Sequence, residues 1–439
     1  MSTDNSSSHP IGADQPDLAP PTLPWWRELS RYQWWVLLLA TLGWMFDCMD
    51  QRLFVIAKQP AMQELLGSGA SSQQVLDYSA WAMTALIFGW ATGGIFFGMM
   101  GDRLGRVRTL GVTVLCYSIF TGLSGLSYYW WDFLIYRFLT GLGVGGAFAA
   151  AATLVAETMP PRARPYCLGL MQALSAMGNI TGSFISGYLS WRWMFAVGIL
   201  PGLLVVLFFA TLKEPDRWTQ AKDKLHEEMG HLQELFRDRR WRFHTIVGVG
   251  LAVSGVVGLW GVGFWSPELI RTVVPDPVRN KLVVSRGTML QDVGALLGML
   301  FFSVMAARLG RRPAFAVSFI LGFLMVSMTF GLMRAEWQVY VMIPCMGFAT
   351  LTLFGGYSIY FPELYPTRLR STGTGFCYNV ARYLAAGSPI VLGWLTGLLK
   401  GPFGPNAFRY AAVLLSLFYF VGLIFTYLAP ETKDKPLPE

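Results

Sequence analysis

Asp47, Asp50 and Arg52 interrupt an apolar run, GWMFDCMDQRLFVIA at residues 43–57, that is otherwise suited to a bilayer. A charge at the centre of a membrane costs about 3 kcal/mol on insertion scales, so these groups need partners or a wet cavity. Asp47 and Asp50 are three residues apart and share a helix face, whereas Arg52 points about 200° away from Asp50. Both carboxylates are therefore expected to face a central cavity together, where either is a candidate proton carrier. Arg382, with Asn379 one turn before it, and Arg52 are candidate contacts for an anionic ligand, because a guanidinium can hold a carboxylate bidentately. Arg137 and Asp292 complete the set of buried charges. A helical rise of about 1.5 Å per residue puts Asp47 and Arg382 near the midplane, and Asp50, Arg52, Arg137 and Asp292 in a layer further out.

The elements that must position these groups are legible from composition. The 439 residues are 54% hydrophobic and 14% charged, with a mean hydropathy of +0.44, which excludes a soluble multidomain protein. Runs of about 20 apolar residues predict twelve spanning helices, near 33–57, 76–100, 108–127, 131–155, 166–189, 192–212, 243–268, 286–308, 313–333, 337–361, 371–398 and 407–429. This is an all-α membrane fold of two six-helix halves, 31–212 and 243–430. A polar loop at 213–242 divides them, with tails at 1–30 and 431–439. Of the 34 Lys and Arg, 22 fall in the tails and in the loops after even-numbered helices, so both termini are expected in the cytoplasm. The Ser/Pro/Asp-rich start has no signal-peptide pattern and reads as a disordered tail. The net charge of +8 is scattered and points to the lipid interface, not to nucleic acid.

Five cysteines with no CxxC pair read as free thiols packed like small apolar side chains. The four histidines avoid the apolar interiors, and His226 and His231 fall in a central loop suited to lie on a membrane surface. There is no HExxH, GxSxG or GxxxxGK[ST] motif, so no catalytic residue, cofactor or metal is expected. The 17 Trp and 31 Phe read mainly as lipid-facing or belt residues.

The halves repeat. ETMPPRAR at 157–164 matches ELYPTRLR at 363–370 with an offset of 206, and RLGR at 103–106 matches 308–311 with an offset of 205. Parallel six-helix repeats place a substrate site at the interface of two rocking halves. GMMGDRLGRVR at 98–108 and RFLTGLGVGG at 137–146 resemble the signatures of the major facilitator superfamily. DCMD at 47–50 and NVAR at 379–382 are similar to its proton symporters for aromatic acids and sialic acid. The resemblance implies proton-driven uptake of an organic anion by alternating access, in an inner or plasma membrane and as a monomer. It also implies a cytoplasmic gate of Gly98, Asp102, Arg103, Gly105, Arg106, Glu157, Arg162, Glu363 and Arg368. Because Ser303 and Ala307 stand where the first copy has Gly98 and Asp102, the latch should be asymmetric, with Asp102 near Ser371 or Thr372 at the start of helix 11. Loop salt bridges with Arg162, Arg164, Arg368 and Arg370 are the expected setting of Glu157 and Glu363. The same charges would serve an exporter, an antiporter or a uniporter; a nontransporting receptor is the rival from another class.

Overall fold

The computed structural model describes residues 24–438 apart from 68, 187, 226–228, 263–264, 275 and 386–387. The tail at 1–23 and His226, each given a reading above, lie outside the described residues, as does Gly387. The first half contains α1 (Arg31–Leu66), α2 (Ser72–Leu104), α3 (Arg106–Gly125), α4 (Trp130–Thr158) and α5 (Arg164–Ser186). Its sixth segment is broken at Pro201 into α6 (Trp191–Val197) and α7 (Leu204–Thr211). The central loop carries α8 (Asp216–Leu225) and α9 (Glu234–Arg237). The second half contains α10 (Arg239–Gly261), a short α11 (Ser266–Val273), α12 (Pro277–Leu309), α13 (Arg311–Leu332) and α14 (Glu336–Leu364). Two segments in pairs complete it, α15 (Arg370–Ala385) with α16 (Ser388–Phe403), and α17 (Ala407–Ser416) with α18 (Tyr419–Leu428).

These are twelve membrane-crossing segments in two six-helix halves. Among the described residues nine stretches are long and apolar enough to cross a membrane by length and composition. Helices α1, α5 and α15 fall outside them, and these helices supply several of the polar residues of the site, among them Gln51, Gln172, Ser175 and Arg382. The first two helices start on reciprocal caps, Ser30 with Gln33 and Ser71 with Gln74.

The two ends of the described residues lie on one face. Trp25 stacks on Tyr166 at the start of α5, with centroids 5.0 Å apart, and Pro438 O accepts from Arg370 at the start of α15. Glycines let helices approach within each half: a Cβ on Gly93 would overlap the Leu142 backbone of α4, and one on Gly294 would overlap the Pro344 carbonyl of α14. The halves meet through α2 against α15 and α5 against α12. Gly393 and Gly397 of α16, by contrast, meet nothing within 4 Å. All five cysteines are free; Cys345 is exposed instead of packed inside. His244 is buried in the first turns of α10, its Nδ1 2.7 Å from Leu364 O, and so does not avoid the interior.

Candidate functional site: a central cavity and its charged flanks

Between the halves lies a cavity of about 120 Å³. Helix α1 presents Trp44, Cys48 and Gln51 to it, spaced i, i+4, i+7 on one helix face. Trp90 of α2, Gln172, Ser175 and Asn179 of α5, Asp292 of α12, Phe354 of α14 and Arg382 with Tyr378 of α15 complete its polar and aromatic wall. The Arg382 guanidinium is stacked between Trp90 and Tyr378, 4.0 and 4.2 Å from the two ring centroids. Its Nη1 donates to Tyr378 O at 2.9 Å and Asn379 Oδ1 at 3.0 Å, while Nε has no partner.

Asn379 differs from the expectation of a ligand contact. Its Nδ2 donates to Gly375 O at 2.8 Å, its Oδ1 serves Arg382, and a Cβ on Gly94 would overlap its amide. It is off the cavity wall and positions Arg382. The aspartates also depart from expectation. Trp44, Cys48 and Gln51 hold the cavity face of α1, so Asp47 and Asp50, on the neighbouring face, are buried behind it and do not line the wall. Asp47 accepts from Gln51 Nε2 at 3.2 Å through one oxygen and has no partner on the other, so the layer pairing it with Arg382 is not formed as an ion pair.

Asp50 faces Arg137 of α4 at 3.9 Å, both fully buried, which ties α1 to α4. Arg137 also donates to Ser124 Oγ at 2.6 Å and Thr140 Oγ1 at 3.0 Å and lies over the rings of Phe54, Phe133 and Phe195. Arg52 is not a free ligand contact. It pairs with Asp292 at 2.8 Å, joining α1 of one half to α12 of the other.

The face bearing the termini is closed by a denser network. Asp102 accepts from Ser371 N at 3.1 Å, Thr372 N at 2.8 Å and Thr372 Oγ1 at 2.6 Å, an anion on the first turn of α15, and pairs with Arg106 at 2.9 Å. Glu157 joins Arg106 of its own half at 2.9 Å to Arg370 of the other, and Arg106 reaches Thr367 O at 2.6 Å. Gly98 lets α2 close on α15, since a Cβ there would lie 3.0 Å from Ser371 O. In the second copy Arg311 pairs with Glu363 at 2.6 Å, but Glu363 takes its further bond from Thr432 of the tail and not from the opposite half. Ser303, in place of a glycine, donates to Pro165 O at 2.7 Å.

Of the four loop arginines expected beside these glutamates, Arg370 does pair with Glu157, from the opposite half, whereas Glu363 pairs with Arg311 and the other three loop arginines bond elsewhere. Arg162 bonds Glu28 at 2.5 Å, Arg164 Nε donates to Ala156 O, and Arg368 bonds Glu234 of α9. Arg103 Nε donates to Met229 O of the central loop at 3.1 Å.

Gly105 and Gly310 precede α3 and α13 with φ of +117° and +105°, a region L side chains avoid. The turn exposes the first N–H groups of each helix. Glu214 accepts from Arg106, Val107 and Arg108 N, and Glu431 accepts from Arg311 and Arg312 N. Burial opposes ionisation of Glu431, but these N–H groups and the nearby Arg311 charge outweigh it and hold its carboxyl below the usual range.

Sequence reasoning missed Glu214 and Glu431 because their separations from Gly105 and Gly310 differ between the halves; an acid just past the last helix of each half was the available signal. It also missed Trp44, Trp90, Gln172 and Tyr378. Trp44 and Trp90 are 2% and 7% exposed, so they are interior groups and not belt residues.

The family model for the Major Facilitator Superfamily matches residues 23–274, and that for "Sugar (and other) transporter" matches 222–439. The chain is 31% identical over 316 residues to the cis,cis-muconate transport protein of Acinetobacter baylyi, covering 70% of this chain and 76% of the relative. It is 24% identical over 379 residues to the sialic acid transporter NanX of Escherichia coli K12, covering 85% and 90%. A structure of the proton:xylose symporter XylE from E. coli shares the fold with a TM-score of 0.74 at 19% identity, covering 92% of this chain and 98% of the other. The paired six-helix halves, the repeated glycine–arginine turns and these matches together show that the chain belongs to the major facilitator superfamily and is a multi-pass membrane transporter.

Proposed function

We propose that this transporter is a proton-coupled symporter that imports a small organic carboxylate by alternating access, with both termini in the cytoplasm of a bacterial-type inner or plasma membrane. The halves at 31–212 and 243–430 rock about the central cavity, and one copy of the chain suffices. The observation that carries the reading is Arg382, a buried cation on the cavity wall with an unused Nε–H, set near two buried carboxylates on α1. Relatives named for muconate and sialic acid carry carboxylates, which agrees with an anionic cargo.

In this mechanism the Arg382 edge facing the cavity binds the substrate carboxylate, and Asn379 fixes the guanidinium from behind. Asp50 is the leading proton carrier, because its partner Arg137 keeps Ser124, Thr140 and three aromatic rings when Asp50 is neutral. Asp47, bonded through Gln51 to the cavity face, is the second carrier. Substrate and proton together leave the loaded core near neutrality, which lowers the cost of reorientation. An empty carrier with an unpaired buried charge reorients slowly. The halves are joined on the terminal face by Asp102, Glu157 and Arg370 and above the cavity by Arg52–Asp292, so in this mechanism access from either side requires one of the two sets of contacts to part.

Uptake of labelled benzoate, nicotinate, cis,cis-muconate and N-acetylneuraminate into proteoliposomes, with and without an inward proton gradient, tests the reading. The expected result is gradient-driven accumulation that Asp50→Asn abolishes while substrate exchange persists. Accumulation indifferent to the gradient, with normal transport by Asp47→Asn and Asp50→Asn, would overturn it.

A further inference from the structure

Beyond the Arg382 group that the mechanism above uses, the central cavity has further unmet hydrogen-bonding capacity. Trp44 Nε1, Trp90 Nε1 and Arg382 Nε are buried donors without a partner, and Gln172 Oε1 is a buried acceptor without one. All four residues line the same cavity, and their exposures are 2, 7, 6 and 3%. An unmet buried polar group is costly, and four on one wall are a deficit a ligand would fill. Three of the four are N–H groups, one of them cationic, so the complement is an anion with several lone pairs. Within the same wall Asp292 is occupied by Arg52 at 2.8 Å and does not compete for these donors.

The rings also constrain shape. Trp90 stacks its face on the Arg382 guanidinium, so its N–H and the guanidinium N–H groups lie in adjacent layers, and Trp44 is held against Phe148 with centroids 5.2 Å apart. The cavity of about 120 Å³ is close to the roughly 150 Å³ that admits a benzene ring, and is small for a nine-carbon sugar acid.

We infer that Trp44 and Trp90 are substrate-binding residues: their indole N–H groups and Arg382 Nε–H form a three-donor cradle for one carboxylate of a single-ring or six-carbon acid. This rests on the organic-carboxylate reading above and adds to it the residues and the size of cargo. The unmet acceptor of the four, Gln172 Oε1, suits a hydroxyl or N–H on the rest of the molecule.

Trp→Phe keeps the ring and removes only the N–H. Equilibrium binding is measured on the full chain in nanodiscs, at fixed pH and without a gradient, using benzoate, nicotinate, cis,cis-muconate and N-acetylneuraminate. In wild type at least one of the first three is expected to bind about tenfold or more tightly than N-acetylneuraminate. Hydrogen bonds to charged groups contribute enough that Trp44→Phe and Trp90→Phe should each weaken that acid about tenfold. Trp81→Phe, on the exposed outside at 66%, should not. As a measurement that needs no variant to bind, ¹⁵N-indole spectra of wild type are expected to show two tryptophan N–H signals shifting with that acid and not with its uncharged amide. Binding in wild type that both variants retain, with unmoved indole signals, overturns the cradle alone, and tighter binding of N-acetylneuraminate overturns the size assignment. Failure of wild type to bind any of the four acids counts against the organic-carboxylate reading and the cradle with it. Gradient-independent uptake with intact binding would overturn proton coupling and leave the cradle standing.

Discussion

Arg52 on α1 and Asp292 on α12 meet at 2.8 Å, joining the two halves above the central cavity on the side away from the chain ends. Below the cavity the halves are joined by Asp102 on the α15 terminus and by Glu157 with Arg370. The cavity therefore sits between one partly exposed bridge and one buried network, and the two should differ in strength.

The upper bridge is the weaker. Its side chains are 27 and 16% exposed, a setting in which an ion pair contributes roughly 0.2–1 kcal/mol. Asp292→Asn should open the cavity to the side away from the termini. In a variant keeping only Cys48, labelling by a water-soluble maleimide is expected to rise by up to about fivefold. The exchange Arg52→Asp with Asp292→Arg should restore slow labelling. Unchanged rates in Asp292→Asn would show that the bridge does not hold the halves.

Arg137 and Asp50 are coupled unequally. Arg137→Met leaves a carboxylate buried without its counter-charge, a change on the order of 3–5 kcal/mol, so the purified protein should melt markedly lower. Asp50→Asn costs less because Ser124 and Thr140 still hold the guanidinium. Adding Asp50→Asn to Arg137→Met should recover part of the loss. Additive effects in thermal unfolding would show the two residues to be independent.

The two copies of the glutamate motif should respond differently. Glu157 bonds across the halves, whereas Glu363 bonds Arg311 and Thr432 within its own half and tail. Glu157→Gln is expected to shift the molecule toward opening on the terminal face, read as a change in spin-label distance between α4 and α15. Glu363→Gln should leave that distance near wild type. Equal shifts would contradict the asymmetry.

Glu431 should respond to acid in a defined direction. Its carboxyl is held below the ordinary glutamate value of about 4.5, so its contribution is fully present above that value and is lost as pH falls through the lower folded one. Protection of the Arg311 and Arg312 amides, taken relative to their intrinsic exchange rates, should stay high at neutral pH and fall only in clearly more acidic buffer. Glu431→Gln should lower that protection at neutral pH; protection that persists in the variant would exclude the carboxylate as the cap.

Sequence by itself determined the twelve segments, the division into halves and the residue types of the buried charges. A bilayer imposes a length and an apolarity on each crossing, and any charge inside one stands out against that background. It also indicated Asp102 at the start of α15, because the glycine–arginine repeat has an acid in one copy only. Partners and facing were decided by the tertiary structure. A helix wheel shows that Asp47 and Asp50 share a face, but only the packing of α4 and α5 around α1 turns that face away from the cavity and gives the wall to Trp44, Cys48 and Gln51. Equal depth suggested Arg382 with Asp47, whereas lateral packing gave Arg382 to Trp90 and Tyr378, Arg137 to Asp50 and Arg52 to Asp292. Depth follows from counting residues along one helix, but a contact depends on the rotation and spacing of two, and those are set by the side chains that pack between them.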